Sequence, residues 1–343
     1  MTADRRVPAG TTTIDIHCHV ATPECDDLVR PLFTPEKDPF VLYSGPATEA
    51  YNRVHFAEIV PKLTRPEERL RDMDRTGIDV QAISVAPRQY LYWTEPELGG
   101  KLAGMHNDNL AGIVAEHPDR FVGLGTVPLQ DVPASLDELD RIAGDLGFPG
   151  IEICTNVNGV DFDHPRFLPF FERVTALDLL MLVHPNGFTQ GERLAAYYLI
   201  NTVGMPLDST VFLARMILGG VLERFPDLKM CVVHGGGYLP PYVARFDHAW
   251  RVRDDARADL PNPPSSYLRR VYFDTMVYDP VELSALIERY GADRVLLGTD
   301  YPYDMGEDDP IGLVRSVDGL SDDDLRSILG GNAARLLRLD GRR

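Results

Sequence analysis

The stretch Ile14-Asp15-Ile16-His17-Cys18-His19 is an apolar strand pattern that closes on two histidines at i and i+2. Side chains alternate along a strand, so His17 and His19 leave the same face, close enough to bind one metal ion. Three distant runs end in the same manner: Leu182-Val183-His184, Met230-Cys231-Val232-Val233-His234 and Val295-Leu296-Leu297-Gly298-Thr299-Asp300. Five candidate ligands or bases therefore stand at the carboxyl ends of four strands. Only a fold that gathers those ends in one place can use them together.

The periodicity supplies such a fold. Short apolar runs alternate with amphipathic segments of helical period. Strands are expected to end near His17, Val85, Val127, Cys154, His184, His234, Thr275 and Asp300, and helices to cover 65–76, 98–117, 133–146, 165–177, 208–225, 239–253 and 280–290. Eight strands, each followed by a helix, is the α/β pattern of a (β/α)8 TIM barrel, in which catalytic groups lie at the carboxyl ends of the strands. The 343 residues suit one such domain, spanning 1–343. Two connections are long. The first, 21–63, is rich in Pro, Asp and Tyr and is expected to form a lid or a subsidiary sheet over the barrel mouth. The second, 186–207, follows His184 and carries Tyr197, Tyr198 and Met205 towards the same mouth. The acidic, proline-rich stretch 254–264 reads as a surface loop.

Composition narrows the function. The 34 basic and 52 acidic residues leave a net charge of -18, which opposes phosphate backbones and anionic lipid, so neither nucleic acid nor membrane is an expected partner. No run approaches the roughly 20 apolar residues of a membrane span. The first ten residues lack the apolar segment of a secretory signal, and the four cysteines show no paired spacing, both of which point to a reducing cytoplasm. Cys18 is turned away from its histidine neighbours by strand alternation and is expected only to pack. His55, His106, His117, His164 and His248 lie in helices or loops and receive no chemistry. Asp300 reads either as a helix cap before Tyr301-Pro302 or as an anionic ligand beside neutral imidazoles.

These residues resemble the amidohydrolase superfamily, and within it the branch typified by 2-amino-3-carboxymuconate-6-semialdehyde decarboxylase. The resemblance extends from the first histidine pair through Pro128-Leu129-Gln130-Asp131, His184-Pro185, His234-Gly235-Gly236-Gly237, Arg245-Phe246-Asp247-His248-Ala249-Trp250 and Gly298-Thr299-Asp300-Tyr301-Pro302 to Gly331-Asn332-Ala333. It implies one divalent metal ion, typically zinc with manganese as the alternative, held by His17, His19, His184 and Asp300 with a water completing the site. His234 would then stand beside that water as general acid and base. Binuclear relatives use a carboxylated lysine at the end of strand four; here that end reads Gly150-Ile151-Glu152-Ile153-Cys154, which favours a single metal. Glu152 itself reads equally as a structural carboxylate.

The same resemblance gives Arg245 the task of crossing a homodimer interface to hold a substrate carboxylate, a bidentate role that suits a guanidinium. Its alternative is a helix-surface arginine paired with Asp247. The family's lid arginine is replaced by Ala57, with Arg53 and Arg88 as candidate substitutes, and the aromatic after His-Pro is replaced by Asn186. The expectation is a metal-dependent, non-oxidative decarboxylase of an unsaturated or aromatic carboxylic acid. The alternative is a hydrolase of a lactone, amide or ring-cleavage product on the same residues.

Overall fold

Eight parallel strands pair in chain order: β1 (Ile14–Val20), β2 (Val80–Val85), β3 (Phe121–Gly125), β4 (Gly150–Ile153), β5 (Leu180–Val183), β6 (Lys229–Val232), β7 (Tyr272–Asp274) and β8 (Val295–Leu296). The ring closes where β1 meets the segment after β8, through Ile16 N to Leu297 O (2.9 Å), Asp300 N to His17 O (2.8 Å) and His19 N to Tyr301 O (2.8 Å). This computed structural model describes residues 7–339, so most of the amino-terminal stretch read for a secretory signal lies outside the described residues. Alternation sorts the strand side chains into two cores. Ile14, Ala82, Leu124, Leu180, Leu182 and Cys231 pack with one another inside the barrel. Their neighbours Ile83, Ile151, Met181, Val183 and Val232 face outward onto the helices, as parallel strands covered on both faces must. Cys18 joins that outer core, as expected.

The insertion after β1 is helical, so the subsidiary sheet does not form. It contains α1 (Pro23–Val29), α2 (Pro39–Leu42) and α3 (Pro46–Thr64). The prolines explain the choice: Pro23, Pro39 and Pro46 each open a helix, where a missing N–H costs nothing, whereas in a sheet it would break the ladder. Asp38 caps α2 by accepting from Phe40 N and Val41 N. The barrel helices follow as α4 (Pro66–Thr76), α5 (Pro96–Glu116), α6 (Val132–Gly144) and α7 (Leu168–Ala176). The helix expected over 208–225 starts earlier and divides into α8 (Met205–Leu218) and α9 (Val221–Arg224), because Gly220 turns the chain at φ 76°. A π-helical turn, Ile200–Gly204, leads into α8 from the second long connection.

Then come α10 (Leu239–Val252), a short α11 (Asp254–Arg257) inside the expected surface loop, α12 (Pro264–Leu268) and α13 (Pro280–Tyr290). Beyond β8 lie α14 (Pro310–Arg315), α15 (Asp322–Arg326) and α16 (Asn332–Leu336), the last packing Ala333 and Leu336 against the inner core. Among the described residues, no helix is long and apolar enough to cross a membrane.

Candidate active site

The strands stop short of several residues that the apolar runs seemed to include. β5 ends just before His184, β6 two residues before His234, and β8 four residues before Asp300. Released from the ladder, His234 and Asp300 adopt left-handed backbone at φ 56° and 55°, a conformation that non-glycine residues keep mainly where the surroundings enforce it. On β1 the opposite holds, since the strand runs on to Val20 and contains both histidines. There the pairing of Asp15 with Gln81 and of Cys18 with Ile83 leaves Ile16 and His17 together opposite Ala82. That bulge re-aims the strand, so that Ile14 and Ile16 fill the barrel below while His17 and His19 still turn inward above.

The five candidate ligands or bases meet at the barrel mouth. His17 Nε2 and His19 Nε2 lie 3.3 and 3.2 Å from Asp300 Oδ1, and His184 Nε2 lies 3.8 Å from it. His234 Nε2 approaches the other oxygen, Oδ2, at 3.5 Å. One atom from each of His17, His184, His234 and Asp300 falls within 4.8 Å of the others. Two ligands each about 2.0–2.2 Å from one ion stand roughly 3–3.5 Å apart, so the spacing around Oδ1 is that of a coordination sphere.

The hydrogen bonds behind the rings separate the histidines into two kinds. Nδ1 of His17 is bound to Asp274 Oδ2 (2.7 Å), that of His19 to Val85 O (3.2 Å), and that of His184 to Pro185 O (2.6 Å). An acceptor at Nδ1 fixes the tautomer that presents a bare Nε2, which is how proteins prepare imidazoles for metals. Nε2 of His17 and of His184 is buried without any hydrogen-bond partner, as is Nδ1 of His234. Buried polar atoms are seldom left unpaired. Three imidazole nitrogens and a carboxylate form a donor set that a divalent cation satisfies, and the arrangement fits such an ion.

Charge points the same way. Burial opposes ionisation of Asp300, but His17 and the hydrogen bonds around it outweigh burial and hold the carboxyl well below its usual range. Burial keeps His184 neutral, well below the usual imidazole range. Glu152 does point into the barrel, where it accepts from Tyr90 Oη and Ser84 Oγ and comes within 3.8 Å of His19 Nδ1.

The lid closes a chamber of about 50 Å3 over the histidines, with Phe56, Arg88, Asn186, Tyr198 and Tyr303 in its wall. Arg88 is the one Lys or Arg among the described residues lining it. Its Nε is 3.1 Å from Asp38 Oδ2, while Asn186 Nδ2 donates to Asp38 Oδ1 at 3.2 Å. Arg53 is instead exposed on α3. A second, larger cavity of about 660 Å3 opens from His234 and Asp300 between α10 and α13. Arg245 is exposed on α10, outside both cavities, and Asp247 accepts from Ser265 N at 2.9 Å.

Sequence reasoning passed over Asp274 and His55. His55 lines the chamber and accepts from Asp304 N at 3.1 Å, pinning the lid to the loop after β8. Asp274 could have been found as a carboxylate on the inward face at the carboxyl end of an expected strand. His106 is structural, and burial lowers its pKa to about 4.

The chain is similar to several known proteins. The chain is 37% identical over 286 residues to a 2-amino-3-carboxymuconate-6-semialdehyde decarboxylase of Dictyostelium discoideum, an alignment covering 83% of this chain and 80% of that one. It is 29% identical over 293 residues to a γ-resorcylate decarboxylase of Rhizobium sp. (strain MTP-10005), covering 80% and 88%. The crystal structure of a 5-carboxyvanillate decarboxylase from Sphingomonas paucimobilis superposes with a TM-score of 0.85 at 28% identity, over 96% of this chain and 99% of the other. A sequence profile of the amidohydrolase family matches residues 14–339, nearly the full length, and the chain belongs to that family.

Proposed function

We propose that this protein is a metal-dependent, non-oxidative decarboxylase of an unsaturated or aromatic carboxylic acid. The observation that carries the reading is the convergence of three imidazoles anchored at Nδ1 on Asp300 Oδ1, while His234, 3.5 Å from Oδ2, has no partner at its Nδ1. His17, His19, His184 and Asp300 would hold the ion, zinc with manganese as the alternative. When bound, it supplies a Lewis acid that polarises a substrate oxygen.

His234 delivers the proton. Its turn places the ring at the junction of the narrow chamber and the wide cavity, and its Nδ1 has no partner to fix a tautomer, so it is free to give and regain a proton. Protonation goes to the carbon bearing the carboxylate. The carbon-carbon bond then breaks, carbon dioxide departs, and the bond's electron pair restores the conjugated system.

Arg88 would orient a second acidic or phenolic group of the substrate, taking over from the lid arginine that Ala57 replaces, a role supported by its position in the chamber wall. Arg245 serves a neighbouring pocket within a homodimer, a role supported by its exposure on α10 beside Tyr242, which is 66% exposed. Four buried, unpaired cysteines support a cytoplasmic setting.

The test is a panel of hydroxybenzoates, muconates and related ring-cleavage acids, offered to protein stripped by a chelator and then reloaded with zinc or manganese. Carbon dioxide release that disappears on stripping and returns on reloading is expected. Release from no acid, or release indifferent to stripping, contradicts the reading.

A further inference from the structure

We propose that Asp274, the last residue of β7, is a positioning residue shared by the metal site and the proton-transfer site; the proposal rests on the metal reading above. The carboxylate is fully buried and both oxygens are engaged. Oδ2 faces His17 Nδ1 at 2.7 Å, and Oδ1 accepts from Gly235 N at 2.8 Å and Met276 N at 3.3 Å. One side chain thus grips the ring of a metal ligand and the residue next to His234.

Each contact has a consequence. The bond to Nδ1 sets the tautomer and tilt of His17, leaving Nε2 aimed at Asp300 and more basic than a free imidazole. The bond from Gly235 N fixes a turn in which His234 and Gly235 are both left-handed, at φ 56° and 60°, and no strand ladder holds them. The surroundings leave little freedom, for a Cβ added at Gly298 would lie 3.0 Å from the Cβ atoms of both Asp274 and His17.

A carboxylate suits the place. It accepts at both oxygens and donates nothing, so it can face three N–H groups at once. Asparagine offers one acceptor oxygen, and its NH2 would confront a donor on one side or the other. Asp15 makes a natural control. It is equally buried, but it accepts from the His17 backbone N, Gln81 and Thr299 and does not touch the ring.

The experiment measures metal affinity by chelator competition in Asp274→Asn, Asp274→Ala and Asp15→Asn, with circular dichroism to confirm the fold, followed by kcat and KM at saturating metal. Both Asp274 variants are expected to bind metal about 10- to 100-fold more weakly, with Asp15→Asn near wild type. With metal restored, Asp274→Asn should keep its KM while kcat stays on the order of tenfold or more below wild type, because His234 is misplaced. Wild-type affinity at position 274, or an equal loss in Asp15→Asn, overturns the proposal. So does full recovery of kcat with added metal, which would leave Asp274 serving the metal alone. If the alanine variant does not fold, the near-isosteric asparagine decides. The affinity measurement uses no substrate, so it remains decisive even if the chain proves not to be a decarboxylase.

Discussion

Burial alone would keep His17 neutral, yet the carboxylates of Asp300 and Asp274 overcome it and push its pKa up to about 10. The proton stands in for the charge of an ion, and metal must displace it, so affinity should rise with pH. His17→Ala and Asp300→Ala are expected to lose metal and turnover together. His234→Asn should keep its metal while the rate falls on the order of 10²-fold or more, the contribution of a positioned acid or base. Elemental analysis of the purified variants separates the two behaviours, and metal loss in His234→Asn equal to that in His17→Ala would make His234 a ligand. Arg88 acts on a different quantity. Removing a charged hydrogen bond to substrate costs about 1.5–3 kcal/mol, so Arg88→Ala should raise KM roughly 10- to 100-fold for an acid carrying a second anionic group. An acid without that group should be unaffected, and equal loss for both would remove Arg88 from substrate recognition.

At the scale of elements, α8 is tied to the loop after β4 by Asp208, which accepts from Thr155 Oγ1 and from Asn156 Nδ2. Burial pushes the Asp208 pKa up to about 6, against the lowering effect of those hydrogen bonds. The folded chain then binds more protons than the unfolded one between about pH 4 and 6, so this residue's contribution to stability falls as pH rises through that window. Asp208→Asn lacks the titration. Its unfolding free energy relative to wild type should improve by on the order of 2–3 kcal/mol from pH 4 to pH 7, and a difference that stays flat would contradict the assignment.

The elements themselves were legible to different degrees. Period-2 alternation showed that His17 and His19 share a face, because that pattern is local. The bulge at Ile16 and His17 was hidden, since register depends on the partner strand. The runs ending in His234 and Asp300 looked like longer strands because an apolar residue beyond the ladder is buried as fully as one within it. The lid's prolines bore on its helices as plainly as on a loop, but which end of the barrel they cover is a tertiary fact. Asp274 went unnoticed because a single aspartate near a strand end resembles a cap until its ring partner, 257 positions away, is in place.

Across the whole molecule, a net charge of -18 surrounds a mouth whose walls carry few cations. An anionic substrate must therefore be drawn by the ion and a few arginines rather than by the general field. If Arg245 serves a partner's pocket, inactive His234→Ala and inactive Arg245→Ala proteins, mixed so that subunits exchange, should regain activity through one intact site in each mixed dimer. Confirmed exchange without activity would confine Arg245 to its own chain. Decarboxylation and hydrolysis would draw on the same residues, and the products tell them apart. The most direct measurement is the mass spectrum of product made in heavy water by the metal-loaded enzyme from an acid that it consumes. A product lighter by one carbon dioxide, with a single deuterium on the vacated carbon, is the expected result, whereas a product that keeps its carboxylate and gains the elements of water would contradict it.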